Sequence, residues 1–361
     1  METKNSRFIN IVAALFLVGF SFFILKELQS ILLPLFMAII ISFLFEPFYK
    51  WMKSKKVPSA VAIVIIVVTI LIIANLSSVF IYTSIISFND ELPKYVQKSE
   101  QIIKSSDAFI QSLGVSPSYK KSIDVTKMLN GEKIAGIVGG LISGIAGLFT
   151  NFILILIYVI FLLTEFGSIK KRVQKAFNSD RAIKVNETLN DILSDVRKYI
   201  VGKTLINLAH AMTVLIVFWI FGLDFALIWG LLTFILAYIP NIGSLIATVL
   251  PFLTALMQYD NIFTPLILLA IMAVSGSMYG NIVEPKILGD KLNLSPILLL
   301  FSLIFWGYLW GIVGMILSVP VMSMIKIVLS KFESTRPISI LMSYEVSDGK
   351  NKDQTEIEFK D

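Results

Sequence analysis

The chain has 361 residues and a formal net charge of +6, and 56% of its residues are hydrophobic against 16% charged. Soluble domains carry about 25% charged residues, so this composition excludes one; apolar runs longer than about 18 residues define an all-α, polytopic helical membrane protein embedded in a lipid bilayer. There is no cysteine and only one histidine, His210, which removes disulfides, thiolate chemistry and any His or Cys metal centre, and no cofactor is expected.

Residues 1–88 read as three spans. The first runs from Phe8 to Leu25 and the second from Leu28 to Phe45, with Lys26 and Glu27 between them. Lys4 and Arg7 before an apolar run resemble a secretory signal, but no small-residue cleavage site follows Leu25, so the segment is read as a retained span. Next come Lys50, Lys53, Lys55 and Lys56 against Glu46 alone, which places this loop and both termini in the cytoplasm. The basic residues thus sit beside spans, and no nucleic-acid partner is implied. The third span, Ala60 to Phe88, carries Asn75, Ser77 and Ser78, either lining a path or bonding a neighbouring helix.

Residues 89–133 are polar with nearly balanced charge. Tyr95, Ile102 and Phe109 recur every seven residues, as do Val96, Ile103 and Ile110, which predicts an extracytoplasmic amphipathic helix. Residues 134–166 hold a fourth span whose start is rich in glycine: Gly136, Gly140 and Gly144 lie four apart. Small residues at that spacing let helix backbones approach, in the same chain or in a homo-oligomer. Residues 167–200 begin with lysines and an arginine and continue as a cytoplasmic amphipathic helix leading into the fifth span, Val201 to Phe221. Asn207 and His210 share a face of that span; His210 is a candidate proton relay or a bond to a neighbouring helix. Glu46 and Glu165 read as span-end residues.

Residues 201–330 form the predicted transport core. Asp224 to Tyr259 is an apolar stretch of about 35 residues, too long for one span of about 20 and short for two. Ile239-Pro240-Asn241-Ile242-Gly243 interrupts it, since proline removes a donor and disfavours helix before it. This predicts a re-entrant hairpin with its tip on a transport path, because irregular backbone at membrane depth needs burial or water. Two kinked, tilted helices are the competing reading. Pro296 to Leu329 repeats the design around Trp306-Gly307-Tyr308-Leu309-Trp310-Gly311, with Gly243 and Pro251 echoed by Gly311 and Pro320. The sixth full span, Ile262 to Tyr279, lies between the hairpins, and residues 331–361 form a polar cytoplasmic tail.

Two carboxylates stand near membrane depth. Glu284, beside Pro285, is read either as a coupling group or as an interfacial partner of Lys286; Asp224 is read as part of the path or as a helix N-cap. Asn241 either contacts substrate or caps a half-helix.

In layout, and in motifs over its last third, the chain resembles the autoinducer-2 exporter family of bacterial membrane transporters, which includes members described as sodium/proton antiporters. Pro240-Asn241-Ile242-Gly243 is similar to its P-x-[IV]-G segment, Glu284-Pro285-Lys286 with Gly289 to its E-P-K-x-x-G, and Gly307, Gly311, Gly314 and Pro320 to its closing glycine series. Ser244 departs from the pattern, standing where a second proline is common. The resemblance implies a permease of the inner (cytoplasmic) membrane with Pro240, Asn241, Gly243, Glu284, Pro285, Asp224 and Gly311 along its path. Its substrate would be a small polar molecule such as the autoinducer-2 signal. A sodium or lithium/proton antiporter and a passive channel-like oligomer are the alternatives. No Walker A pattern supplies ATP drive. An intramembrane protease fits poorly: Gly140-Leu141-Ile142-Ser143-Gly144 is one residue too long for GxSG, and His210 is the sole base.

Overall fold

The computed structural model describes residues 22–112, 151–165, 169–177, 179–239, 242–288 and 294–344, with isolated helical positions at 12, 16, 19, 20, 136, 139 and 140. The helices are α1 Gln29–Ser54, α2 Ser59–Ser112, α3 Phe152–Glu165, α4 Ile169–Ala176, α5 Ser179–Phe221, α6 Ala226–Leu236, α7 Ile242–Gln258, α8 Phe263–Met278, α9 Glu284–Leu288, α10 Pro296–Ser330 and α11 Arg336–Leu341. Strands are absent among the described residues. Among the described residues, five helical stretches are long and apolar enough to cross a bilayer: Gln29–Ser54, Ser59–Val79, Ala182–Phe221, Phe263–Leu288 and Pro296–Ser330. The protein is thus an all-α, multi-pass membrane protein. Most of the expected first span and the start of the fourth lie outside the described residues.

The outward faces are apolar. Trp219 is 80% exposed and Ile297 79%. Such surface suits hydrocarbon, where helices satisfy their own backbone groups. Inside, Ala38 of α1, Ile66 of α2 and Val159 of α3 close a first cluster with no exposed surface. A second cluster holds Phe218 of α5, Trp229 and Leu232 of α6, Ala255 of α7 and Leu268 of α8. Phe43 of α1, Tyr199 and Ile200 of α5 and Ile327 of α10 join the two halves.

Two helices outrun the membrane. α2 continues through Pro93 to Ser112 without a break, so the third span and the amphipathic segment after it are one rod. α5 likewise joins the amphipathic stretch at Ser179 to the fifth span. These extensions lie at opposite ends of α5. Arg197 pairs with Glu46 near the end of α1, and Lys331, just past α10, reaches Asp195 at 3.1 Å. At the other end Tyr95 of α2 meets Asp224, just beyond α5.

Both apolar double-length stretches fold as helical hairpins. The arms α6 and α7 are joined at their mouth by Gln258, whose Nε2 donates to the Gly222 carbonyl at 2.7 Å, and by the Tyr259 hydroxyl, which donates to the Phe221 carbonyl at 2.7 Å. At the tip, Gly243 sits so close to the Leu236 carbonyl oxygen that a Cβ would lie 1.8 Å from it. The Tyr238 hydroxyl shares a 2.7 Å hydrogen bond with that of Thr204, so the hairpin reaches deep along α5. Pro240 and Asn241 lie outside the described residues.

In α10 the helix breaks at Trp310 (φ −127°) and Gly311 (φ 63°, ψ −146°), a backbone conformation that is nearly restricted to glycine. Its arms then run side by side: Ser302 Oγ donates to the Ser318 carbonyl at 3.2 Å, and a Cβ on Gly314 would lie 1.9 Å from the Trp306 carbonyl oxygen. The counterpart of Gly243 is therefore Gly314, and not Gly311 as the sequence spacing suggests; Gly311 supplies the turn. Trp310 Nε1 donates to the Leu25 carbonyl at 3.2 Å, and Lys26 stands over the Tyr308 ring at 5.1 Å. This second tip therefore reaches the turn that precedes α1.

Candidate functional site

A cavity of about 400 Å³ lies where α5, the tip of the first hairpin, α8 and the mouth of the second hairpin converge. Tyr199, Lys203, Asn207 and His210 line it from α5. Their spacing of four, four and three residues puts them on one helical face. Thr233, Ile239 and Ser244 face it from the first hairpin, and Leu299, Val319 and Ser323 from the second.

The opposite wall comes from Gly276, Ser277, Tyr279, Gly280, Asn281 and Glu284. Here the helix does not break at Pro285. Residues Tyr279–Val283 widen into a π-helical turn, and the helix resumes as α9. Proline has no N–H for the carbonyl four residues back. One extra residue in a turn rotates the helix beyond it by about 100°, and such turns recur at functional sites.

Glu284 accepts a hydrogen bond from Lys203 Nζ at 2.6 Å. The Lys203 side chain is only 6% exposed and that of Glu284 32%. An isolated ammonium in this position would be costly to bury, and the carboxylate offsets it. Of the two sequence readings of Glu284, the interfacial pairing with Lys286 gives way to a contact with Lys203 across the cavity. His210 stacks on the Tyr279 ring at 4.9 Å between centroids, while the Tyr279 hydroxyl shares a 2.8 Å hydrogen bond with Thr213. The Asn207 side chain is buried, and its Nδ2 has no partner among the described residues.

Asp224 lies elsewhere, at the mouth of the first hairpin. It is not an N-cap: Phe225, with φ 60°, holds the cap position of α6, and no side chain caps it. Instead Asp224 Oδ2 accepts from the Tyr95 hydroxyl at 2.7 Å, and the Asp224 backbone N–H donates to Gln258 at 2.8 Å. Burial, together with the bond to Asp224, pushes the Tyr95 phenol well above its usual range. Asp224 and Glu91 also border a wider, mainly apolar groove with Trp219 and Leu227.

Gly311 lies at the tip of the second hairpin, outside the cavity lining. Gly243 is buried in the first tip, and it is its neighbour Ser244 that lines the cavity. Gly136 and Gly140 have no described atom within 4 Å of where a side chain would begin, and Gly144 lies outside the described residues. Among the described residues no group of three or more His, Cys, Asp or Glu could hold a metal.

Lys203 escapes the sequence reading, although it is a cation inside an apolar span and such a residue calls for a carboxylate partner. Glu46 is more than the span-end residue expected. It is 5% exposed and accepts from Arg197 at 3.0 Å and Lys50 at 2.6 Å.

Apolar helices around a polar, charge-paired cavity, with two hairpins closing on it, define a multi-pass membrane protein of the transporter class. The chain belongs to the AI-2E transporter family: the family model described as AI-2E family transporter matches residues 11–334. AI-2 transport protein TqsA of Escherichia coli (strain K12) is 27% identical over 314 residues, covering 87% of this chain and 90% of that protein. YhhT of the same strain is 29% identical over 87% of both chains. A protein of Borreliella burgdorferi is 29% identical over 94% of this chain and 90% of its own length. The latter two are provisionally named transport proteins.

Proposed function

We propose that this chain is a secondary transporter that moves a small polar molecule through the cavity between the two hairpins. The Lys203–Glu284 pair carries the reading. A carboxylate and an ammonium held 2.6 Å apart inside a membrane protein are costly to keep unless they are used. Glu284 is the proposed coupling group, with His210 and Asn207 beside it. On this reading the first hairpin enters the membrane and turns back with Pro240, Asn241 and Gly243 at its tip, and Pro285 follows the widened turn at the cavity wall. Gly311 forms the second tip, and Asp224 braces the mouth of the first.

The lysine-rich turn after α1, the α5 extension and the end of α10 share one end of the molecule. This supports a cytoplasmic location for all three and for both termini, and positive-inside bias sets the absolute direction. The four-residue spacing of Gly136, Gly140 and Gly144 supports close helix packing, in a homo-oligomer on this reading. The likeness to TqsA makes the autoinducer-2 signal the first substrate to try.

The test is flux into proteoliposomes with and without a pH gradient, with the autoinducer-2 signal, sodium and lithium as separate probes. Gradient-driven flux of the signal that Glu284→Gln abolishes supports the proposal. Flux of sodium or lithium alone would make the protein a cation/proton exchanger. Flux that ignores the gradient would make it a passive pore.

A further inference from the structure

We infer that the substrate of this cavity carries an oxyanion that seats on Lys203 in place of Glu284, while Glu284 takes up a proton. The inference rests on the reading of the cavity as the transport site and adds the chemical class of what it holds. Three observations carry it.

The first is an asymmetry in the ion pair. Lys203 is 6% exposed and held on the long, packed helix α5, whereas Glu284 is 32% exposed and opens a five-residue helix behind a π turn. The carboxylate is the partner free to leave, and the ammonium is the one that stays. The second is electrostatic. A cation arriving at Glu284 would strand the Lys203 ammonium in a buried site, whereas an anion arriving at Lys203 replaces the departing counter-charge. The carboxylate that leaves is then neutralised by a proton from solvent, so net charge in the cavity is unchanged. Stranding a buried charge costs several kcal/mol, which decides between the two.

The third is the donor set. One turn beyond Lys203 on the same face is Asn207, 2% exposed, whose Nδ2 donor has no partner among the described residues. An ammonium and an amide N–H on one helical face of the same cavity offer two donors, the chemistry that an oxyanion needs. Among the described residues, the other titratable groups that line the cavity with Glu284 are His210 and Tyr199 from α5 and Tyr279 from the π turn, and Lys286 lies on its own helix.

The experiment titrates the purified full-length protein in detergent with lactate, pyruvate or inorganic phosphate, and with lactamide as the neutral match to lactate. Tryptophan fluorescence and thermal stability are the readouts. At least one anion is expected to bind, and lactamide is not. Its affinity should rise by up to about tenfold for each unit of falling pH, because one proton is taken up per anion. Glu284→Gln should bind the anion more tightly and without that slope. Lys203→Met should lose binding, and Lys203→Arg should retain it, which keeps the test intact if Glu284→Gln fails to assemble. Lactamide binding as well as lactate, binding that survives Lys203→Met, or no binding of any of the three anions would overturn the inference. Gradient-driven flux of a neutral probe with no anion binding would remove the oxyanion and leave the transport reading standing. Absence of any gradient-driven flux would remove the transport reading, whatever binds.

Discussion

The Tyr95 hydroxyl, on the part of α2 beyond the apolar span, donates to the Asp224 carboxylate at 2.7 Å and so fastens that helix to the mouth of the first hairpin. Tyr95→Phe removes the bond and leaves the ring in place, so thermal stability in detergent should fall by about 1.5–3 kcal/mol, the range for a hydrogen bond to a charged group. Asp224→Asn should be milder, because the amide oxygen still accepts from Tyr95. The sign of the pH effect follows from the phenol. Its folded pKa lies above the ordinary 10.0, so on the alkaline side the phenol's contribution is complete below that value and declines as pH rises past it. A contribution that grows as pH rises past 10.0 would contradict this assignment.

A thermodynamic cycle on Lys203 and Glu284 should show strong coupling. Removing one partner of a buried ion pair costs about 3–5 kcal/mol, and the partial exposure of Glu284 puts this pair at the low end. Lys203→Met and Glu284→Gln should therefore each lower the unfolding temperature more than the double variant does. Additive losses would mean that the two side chains do not depend on each other.

The two glycines at the hairpin contacts should tolerate nothing larger. Alanine at Gly243 or Gly314 would put a Cβ within 2 Å of a carbonyl oxygen and force the arms apart, at a cost of about 1–3 kcal/mol each. Gly276→Ala is the control, since nothing lies within 4 Å of its Cβ position. Equal stability of all three variants would show that the arms do not need this close approach.

Gly140→Leu addresses the oligomer. A bulky side chain at Gly140 would hold apart any helix backbone that packs on this small-residue face. Cross-linking in membranes should show a loss of the higher-order band. An unchanged band would place the subunit contact elsewhere.

Single cysteines read the sidedness, since the chain has none of its own. Cysteine at Ser112 should react with an impermeant thiol reagent in intact cells, and cysteine at Ser54 or Ser347 should not. The reverse pattern would invert the orientation.

Apolar run length and a central proline or glycine announce both hairpins, because a backbone break within about 35 apolar residues has few solutions in lipid. The partners are harder to read. Glu284 sits two residues from Lys286, and local spacing suggests that pair; the contact with Lys203 of α5 follows a π turn at Tyr279–Val283 that helical periodicity does not announce. Asp224 stands where a cap is expected, yet Phe225 occupies the cap position. Its real partner, Tyr95, lies on a segment that reads in sequence as a separate element. Glu46 is legible as a carboxylate at the end of a span, but not as one shared by Lys50 and by Arg197 from α5. In each case the deciding contact comes from a different helix, and periodicity within one helix carries no information about it.

The unbroken course of α2 has a mechanical consequence. At 1.5 Å per residue its 54 residues make a strut of about 80 Å, more than twice the hydrocarbon thickness. Its far half carries Tyr95 and Lys98, which grip Asp224 and Asp260 on the two shoulders of the first hairpin. While those bonds hold, the span cannot rock in the bilayer without swinging the hairpin mouth. A load applied to the outer end of α2 is thereby delivered, with leverage, to the segment whose tip borders the cavity.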